Sequence, residues 1–496
     1  MSGSITIPGY SPSNRLPGVY FALDATKANT ASVTRRILIV GQMLAPAPAA
    51  AGVATISAGP ADAIAKYGAG SQCARMVARY RGIDTTGEVW VLPLSDDPAA
   101  AAAAGAFAIA GTASASGTLC LYVGDQLIAT GVTVGDTASA IAANVVAAAA
   151  AVPTLPVTLA VDAATNTKIN VTARNKGLAG NDILLGANLL GTAGGQALPA
   201  GVTVAITAMT GGTQNPAALA TALASLGDRV YDLVLHPYTD TASLSAFKQL
   251  FDFLTGRWAP TQQLYGHAIT AYRGTYGAAT TFGLAQNDPH ATIMPISDSP
   301  SSPMDWAAEI GAQVALSMRG NPATPITGLA LTVMPPSDAG RFIADQRNSL
   351  LFDGMSTFTV DDSGTVMIER LITTYQTNTA GVPDNSYLDI ETLLTAEICL
   401  QDMRIFLSSQ FTGCILVADG TKIPAGAKAT TARLIGKACA ARYRVQAQNL
   451  WVQNPDIFAA NVVATNAGNG LVTLLLPYNW ANQLRCIGGD VQFIKS

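Results

Sequence analysis

Four short apolar runs constrain this chain most: Arg36–Gly41, Val89–Leu92, Tyr231–Leu235 and Thr292–Pro295. Each has the length and residue types of a buried strand. Helical patterns stand between them, at 60–81, 216–226, 241–256 and 304–318. The first of these breaks around Gly68-Ala69-Gly70, and Pro93 is read as the end of the second strand. Strands alternating with helices predict an α/β layer.

The alternation stops between 99 and 213, where Ala, Gly, Thr and Val dominate. There Thr118–Val123 and Gln126–Thr130 flank Gly124-Asp125, the signal of a two-residue hairpin of the II′ kind. Asp136 or Thr137 caps a helix running to Ala151, and further strands are expected at 157–161, 168–173 and 202–208. This stretch reads as a mainly-β domain inserted into the α/β layer. After 214 the alternation resumes. A hairpin follows, Met355–Val360 against Thr365–Ile368, then long helices at about 388–409 and 428–448. Strand-like runs close the chain at Leu471–Leu476 and Asp490–Ile494.

Residues 1–24 read as an extended arm. Ile5 and Ile7 alternate with polar neighbours, Pro8, Pro12 and Pro17 forbid helix, and Val19 and Tyr20 open a short strand-like run. The expected division is therefore an N-terminal arm (1–24), a first part of the α/β core (25–98) and the inserted domain (99–213). A second part of the core (214–375), a C-terminal domain (376–486) and a C-terminal arm (487–496) complete it.

Charged residues make up 12% of the chain, about half of the ~25% usual in soluble domains. Either an Ala-rich genome explains this, or much of the bland surface is covered by other subunits. The net charge of −4 gives no global basic field for nucleic acid or an anionic membrane. No run of about 20 strongly apolar residues suggests a membrane span, and the first residues lack a signal pattern. The six cysteines are scattered without a C-x-x-C pair, which argues against a zinc site or a disulfide scaffold.

Catalytic patterns are missing. Of the three histidines, His236 lies near Asp240 and His290 near Asp288, and both read as loop-fixing polar residues beside Pro237 and Pro289. There is no H-E-x-x-H, no G-x-S-x-G elbow and no Walker motif. Asp96-Asp97 and Asp361-Asp362 sit in turn contexts. Gly68-Ala69-Gly70 lacks the third glycine and the preceding strand of a dinucleotide site. No cofactor, metal or enzymatic activity is expected. One charge pattern stands out: between Gly420 and Pro455 there are six basic residues and no acidic one. On a helix Arg433, Lys437 and Arg444 share a narrow sector, a stripe suited to an acidic partner or simply to solvent.

Several segments resemble one family. Arg15-Leu16-Pro17-Gly18-Val19-Tyr20 is similar to the opening "PGVY" of contractile tail sheath proteins. Thr172–Ile183, which includes Gly177-Leu178-Ala179-Gly180-Asn181-Asp182, resembles a segment of the Mu-like branch. So do Asn287–Met294, Leu351–Val360, Ile368–Asn378 and Pro383–Asp389. The region 410–496 matches less closely.

The resemblance implies a multidomain α/β sheath core with an outward inserted domain, a C-terminal domain near the tube and extended N- and C-terminal arms. It implies a virion subunit, assembled in the host cytoplasm, that forms a helical homo-oligomer. That oligomer would surround a tail tube protein, meet baseplate and tail terminator proteins, and contract to drive the tube through the host envelope. No direct nucleic-acid contact and no membrane insertion are implied. The arms would add strands to a neighbour's sheet, with Ile5, Ile7, Val19, Tyr20, Val491, Phe493 and Ile494 as linking residues. Arg433, Lys437 and Arg444 would face the tube. An α/β hydrolase or nucleotide-binding enzyme, or another self-assembling virion protein, are the alternatives.

Overall fold

Ile37, Leu38, Ile39 and Val40 are all fully buried, and they point alternately to two apolar cores. They form the middle of β1 (Arg36–Gln42) in the computed structural model, which describes residues 35–494. The chain continues through β2 (Thr55–Ile56), α1 (Pro60–Tyr67), α2 (Gln72–Ile83) and β3 (Glu88–Leu94).

The insert follows: β4 (Ala104–Gly111), β5 (Gly117–Val123), β6 (Gln126–Val132), α3 (Ala138–Ala150), β7 (Val157–Val161), β8 (Lys168–Ala173), β9 (Leu185–Ala187) and β10 (Val202–Thr210). Then come α4 (Leu219–Ala224), β11 (Leu233–Leu235), α5 (Thr241–Leu250), β12 (His267–Arg273), α6 (Tyr276–Leu284), β13 (Ala291–Ile296) and α7 (Pro303–Gly320).

Six strands from both sides of the insert form one sheet in the order β13-β12-β11-β1-β3-β2, parallel except for β2. Ile37 and Ile39 share a core with Met76 and Val77 of α2 and Trp306 and Ile310 of α7. Leu38 and Val40 share the other with Leu219 and Leu223 of α4 and Phe247 of α5. Burial on both faces is why the strands read as unbroken apolar runs. Gly311 lets α7 lie against the sheet: a Cβ there would stand 2.3 Å from Leu235 Cδ2.

Two local readings need correction, and two strands have no counterpart among the expected ones. Pro93 does not end its strand; it pairs with Gly41 inside β3. Its carbonyl accepts the Gly52 N–H (2.7 Å), so its donor-less nitrogen faces the same outer side, where no ladder bond to β1 is lost. The strand β12 is legible only weakly, because His267, Thr270 and two alanines dilute its apolar signal. β4 (AGAFAIAG) is hidden in the same way by alanine and glycine. The helices α4 and α5 are shorter than their patterns; α5 ends at Leu250, whose carbonyl takes the Arg257 N–H instead (2.7 Å).

The insert has its own core. A four-stranded sheet (β10-β4-β8-β7) and a three-stranded one (β6-β5-β9) enclose Phe107, Leu121, Ile128, Ile169 and Val171, with Ile141 and Val145 of α3. Thr137 caps α3 by accepting the Ala140 N–H (3.3 Å). At the β5–β6 turn Gly124 has φ 62° and Asp125 does not share the positive φ, as a II′ link requires.

After α7 come β14 (Ala330–Leu331), α8 (Ala344–Phe352), β15 (Thr357–Val360) and β16 (Val366–Arg370), a three-stranded sheet with a helix beside it. The long helix α9 (Ile390–Phe411) leads to β17 (Ile415–Leu416), β18 (Ala429–Thr430), α10 (Ala432–Gln448), α11 (Pro455–Asn461) and the hairpin β19 (Val463–Gly468)–β20 (Leu471–Leu475). α9 seats Ile390, Leu394 and Ile398 in one face's core and Leu393 in the other's. A small aromatic core, with Tyr443 stacked on Phe458 at 3.8 Å, holds the C-terminal elements together. The expected strand at Asp490–Ile494 is absent: these residues are irregular and exposed.

Candidate functional site: the insert joint and the assembly surface

The segment Thr172–Ile183 is the joint between insert and core. Asn175 is buried there. Its side-chain oxygen accepts the N–H of Gln72 (3.2 Å), and its amide donates to the Met43 carbonyl and Asp96 Oδ1 (both 3.0 Å). Asp96 also accepts from Gln42 Nε2 (2.6 Å) and the Lys176 N–H (2.9 Å). Its role is therefore wider than the turn expected of it, whereas Asp97 does make a turn, accepting the Ala99 N–H (2.8 Å). The glycine break before α2 has a reason the sequence did not disclose. Gly70 has φ +81°, and a Cβ there would stand 2.2 Å from the Leu155 carbonyl oxygen of the insert.

On the far side of α2, Arg79 pairs with Asp125 of the β5–β6 turn, and Ser301 Oγ donates to the same carboxylate (2.6 Å). Arg75 meets Asp305 at 2.7 Å. Burial pushes the Asp305 carboxyl up, but Arg75 and Arg79 more than offset this and leave it below the usual range. Asp182, in the same segment as Asn175, lies 3.8 Å from Arg273.

The other family-like segments converge on one another. Asn287 Oδ1 accepts the Gln376 N–H (2.8 Å), Thr374 Oγ1 accepts the Asp288 N–H (3.0 Å), and Gln376 Nε2 reaches the Gly283 and Gln286 carbonyls. Gly354 leaves room for Gln376: a Cβ would stand 2.8 Å from its Nε2. These segments act as mutual braces.

The histidines are packing residues. His236 stacks on Phe247 at 3.8 Å, and His290 sits among Phe253 and Trp258 at 4.6 and 4.8 Å. His267 Nε2 lies 2.8 Å from Thr292 Oγ1. Burial drives His236 and His267 down to about 3, and His290 well below its usual value. The nearby carboxylates serve backbone instead: Asp240 caps α5 through the Ser243 N–H (3.0 Å), and Asp288 accepts the His290 N–H (2.8 Å). Among the described residues no group of three or more His, Cys, Asp or Glu side chains is placed to hold a metal. No described helix is long and apolar enough to cross a membrane.

Arg433, Lys437 and Arg444 all lie exposed on α10. Arg444 faces Asp456 at 3.3 Å, and Arg442 of the same basic stretch is held by Asp402 (Nε to Oδ2, 2.8 Å). Beside α10 the hairpin β19–β20 pairs only with itself among the described residues. One face rests on α10, where Gly436 leaves space for Ala464; the other exposes Val463, Leu471 and Leu475. Beyond Arg485 the chain is exposed, with Val491 92%, Phe493 89% and Ile494 87% accessible. Ile5, Ile7, Val19 and Tyr20 lie outside the described residues.

Comparison with known proteins identifies this architecture. The family model for the phage tail sheath protein central domain matches residues 211–374. The Mu-like prophage FluMu tail sheath protein of Haemophilus influenzae is 33% identical over 495 residues, covering 99% of this chain and all of that protein. Among solved structures, the sheath tail protein of Desulfitobacterium hafniense aligns over 94% of this chain and 97% of its own, at 13% identity and TM-score 0.49. That of Listeria innocua aligns over 92% and 94%, also at 13% and 0.49. The chain belongs to the phage tail sheath family and is a structural subunit of a contractile tail sheath.

Proposed function

We propose that this subunit polymerises head to tail into a helical sheath around a tail tube, linked by strands that its terminal segments lend to neighbours. The observation that carries this reading is the pairing of an offer and a vacancy within one molecule. Among the described residues, the tail Ile487–Ile494 has exposed apolar residues and no partner strand, and the hairpin β19–β20 has two open edges and an uncovered apolar face. Strand addition satisfies both, and it preserves connectivity while rigid parts rotate.

In this reading residues 25–98 and 214–375 form the sheath core, and 99–213 faces outward. Residues 376–486 lie near the tube, with Arg433, Lys437 and Arg444 toward it, and 1–24 and 487–496 are the arms. Ile5, Ile7, Val19, Tyr20, Val491, Phe493 and Ile494 fill pockets of the receiving sheet. Baseplate and tail terminator proteins meet the two ends, and assembly takes place in the host cytoplasm. The sheath acts on no substrate, binds no nucleic acid directly and inserts into no membrane. Contraction draws on packing: at ~25 cal/mol per Å², a few hundred Å² of extra burial per subunit yields several kcal/mol before costs.

The test is a chain cut after Arg485, examined by negative-stain microscopy. Loss of ordered hollow cylinders, with a normal circular dichroism spectrum, supports the reading; intact cylinders that still shorten overturn it.

A further inference from the structure

Arg35, the first described residue, and Arg485, the last before a fully exposed stretch, both bond to buried polar groups. Arg35 Nη1 donates to Asp232 Oδ1 (2.9 Å) and Gln401 Oε1 (2.5 Å), and the next residue's N–H goes to Asp232 Oδ2 (2.7 Å). Gln401 in turn donates to Glu397 (3.0 Å). At the other end Arg485 Nη2 lies 3.0 Å from Asp389 Oδ1 and 2.8 Å from Glu391 Oε2. Glu391 is fully buried, and its second oxygen takes the Ile326 N–H (2.8 Å). After Arg485 every described residue from Cys486 to Ile494 is exposed.

Asp232 precedes β11, but the other partners share one feature: Gln401, Glu397 and Glu391 all belong to α9, and Asp389 is the residue that begins it. Arg35, through Gln401, and Arg485, through Asp389 and Glu391, thus both bond to the same helix. Gln401 lies ten positions after Glu391, about 15 Å along a helix axis. That stretch does not flex freely, because Leu393, Leu394 and Ile398 are buried in the cores on the two faces of the large sheet.

We propose that α9 is a tie-bar between the arms. Arg35 and Arg485 root the two segments on it, so a pull on one is delivered to the other through a short length of buried helix. The inference rests on the reading that the terminal segments link neighbouring copies. Buried, charge-assisted contacts suit the role: pulling Arg485 away strands Glu391 of α9, and pulling Arg35 away strands Asp232 beside β11 and breaks the bond to Gln401 of α9, so both resist release until the load is high.

The experiment compares Arg35→Met and Arg485→Met with Arg341→Met, which removes an exposed pair to Asp338. Two measurements are made: amide exchange of the unassembled subunit, and the lengths of assembled cylinders after hydrodynamic shear. In Arg485→Met, amides at 481–485 should exchange about tenfold faster while those of α9 stay protected. Both root variants should still form cylinders that shear into shorter pieces, and Arg341→Met should match wild type. Wild-type exchange and wild-type fragment lengths in both root variants overturn the tie-bar. If the Met variants lose protection throughout α9, Arg35→Lys and Arg485→Lys decide, since they keep the charge with fewer contacts. Fragments of intermediate length support the proposal, and wild-type lengths refute it. The chain cut after Arg485 separates the two readings. If it forms shear-resistant cylinders, strand lending itself fails. If it does not, while the root variants behave as wild type, only the tie-bar fails.

Discussion

The side-chain oxygen of Asn175 accepts the backbone N–H of Gln72 at 3.2 Å, so a residue of the insert satisfies a free N–H in the first turn of a core helix that Ser71 caps. The same amide holds Met43 and Asp96. Asn175→Ala leaves at least one buried donor and one acceptor unpaired, at about 1–3 kcal/mol each. We expect a loss of about 2–4 kcal/mol in chemical denaturation. A change below about 1 kcal/mol would show that water replaces the amide without cost.

Gly311→Ala tests how closely α7 lies on the sheet. The added methyl would meet Leu235 at 2.3 Å. Helix propensity alone favours alanine by ~1 kcal/mol, so the sign of the result is informative. Overpacking should dominate and lower stability by about 1–3 kcal/mol, and adding Leu235→Ala should recover part of the loss. A stabilised single variant would mean that the contact yields easily.

His236 gives a pH signature. Its imidazole is buried against Phe247 and held down to about 3, against 6.5 for the unperturbed group. Between these values the unfolded chain binds the proton and the folded one does not, so stability falls as pH falls below 6.5. The slope is about 1.4 kcal/mol per pH unit for this residue. His236→Phe removes that share. From pH 6.5 to 4.5 the variant should lose about 2.3 kcal/mol less than wild type. Parallel pH profiles for the two proteins would refute the assignment.

Arg433 and Lys437 are exposed on α10 with no ion-pair partner among the described residues. Arg433→Glu with Lys437→Glu should weaken co-sedimentation with purified tubes by about 1–2 kcal/mol per subunit. The wild-type interaction should weaken between 0.05 and roughly 0.5 M salt, as screening shortens the Debye length. Salt-independent binding, unchanged by the double reversal, would place the stripe away from the tube.

The sequence disclosed most where one environment acts on a whole segment. Ile37–Val40 is buried on both faces and reads as a strand at sight; the II′ turn at Gly124-Asp125 follows from the glycine. It disclosed little where the partner is distant. β12 is built from His267, Thr270 and alanines, whose burial depends on Thr292 and the neighbouring strand. Asp96 looked like a turn residue because its partners Gln42, Asn175 and Lys176 are 54, 79 and 80 positions away. Gln401 and Glu391 of α9 gave no local signal, since their partners Arg35 and Arg485 approach from opposite ends of the chain. The Thr172–Ile183 segment was noticed for its family likeness, yet its meaning as a joint required coordinates.

The solitary hairpin β19–β20 bears on how long such an assembly grows. On the proposed strand-lending reading, every hairpin takes up as many strands as each copy donates, and unmet backbone groups survive only at the two extremities of a polymer. Their number is then the same for ten copies as for a thousand. Strand exchange of this kind favours no length over another, so on the proposed reading the measure of the finished cylinder is set by something other than the hairpin.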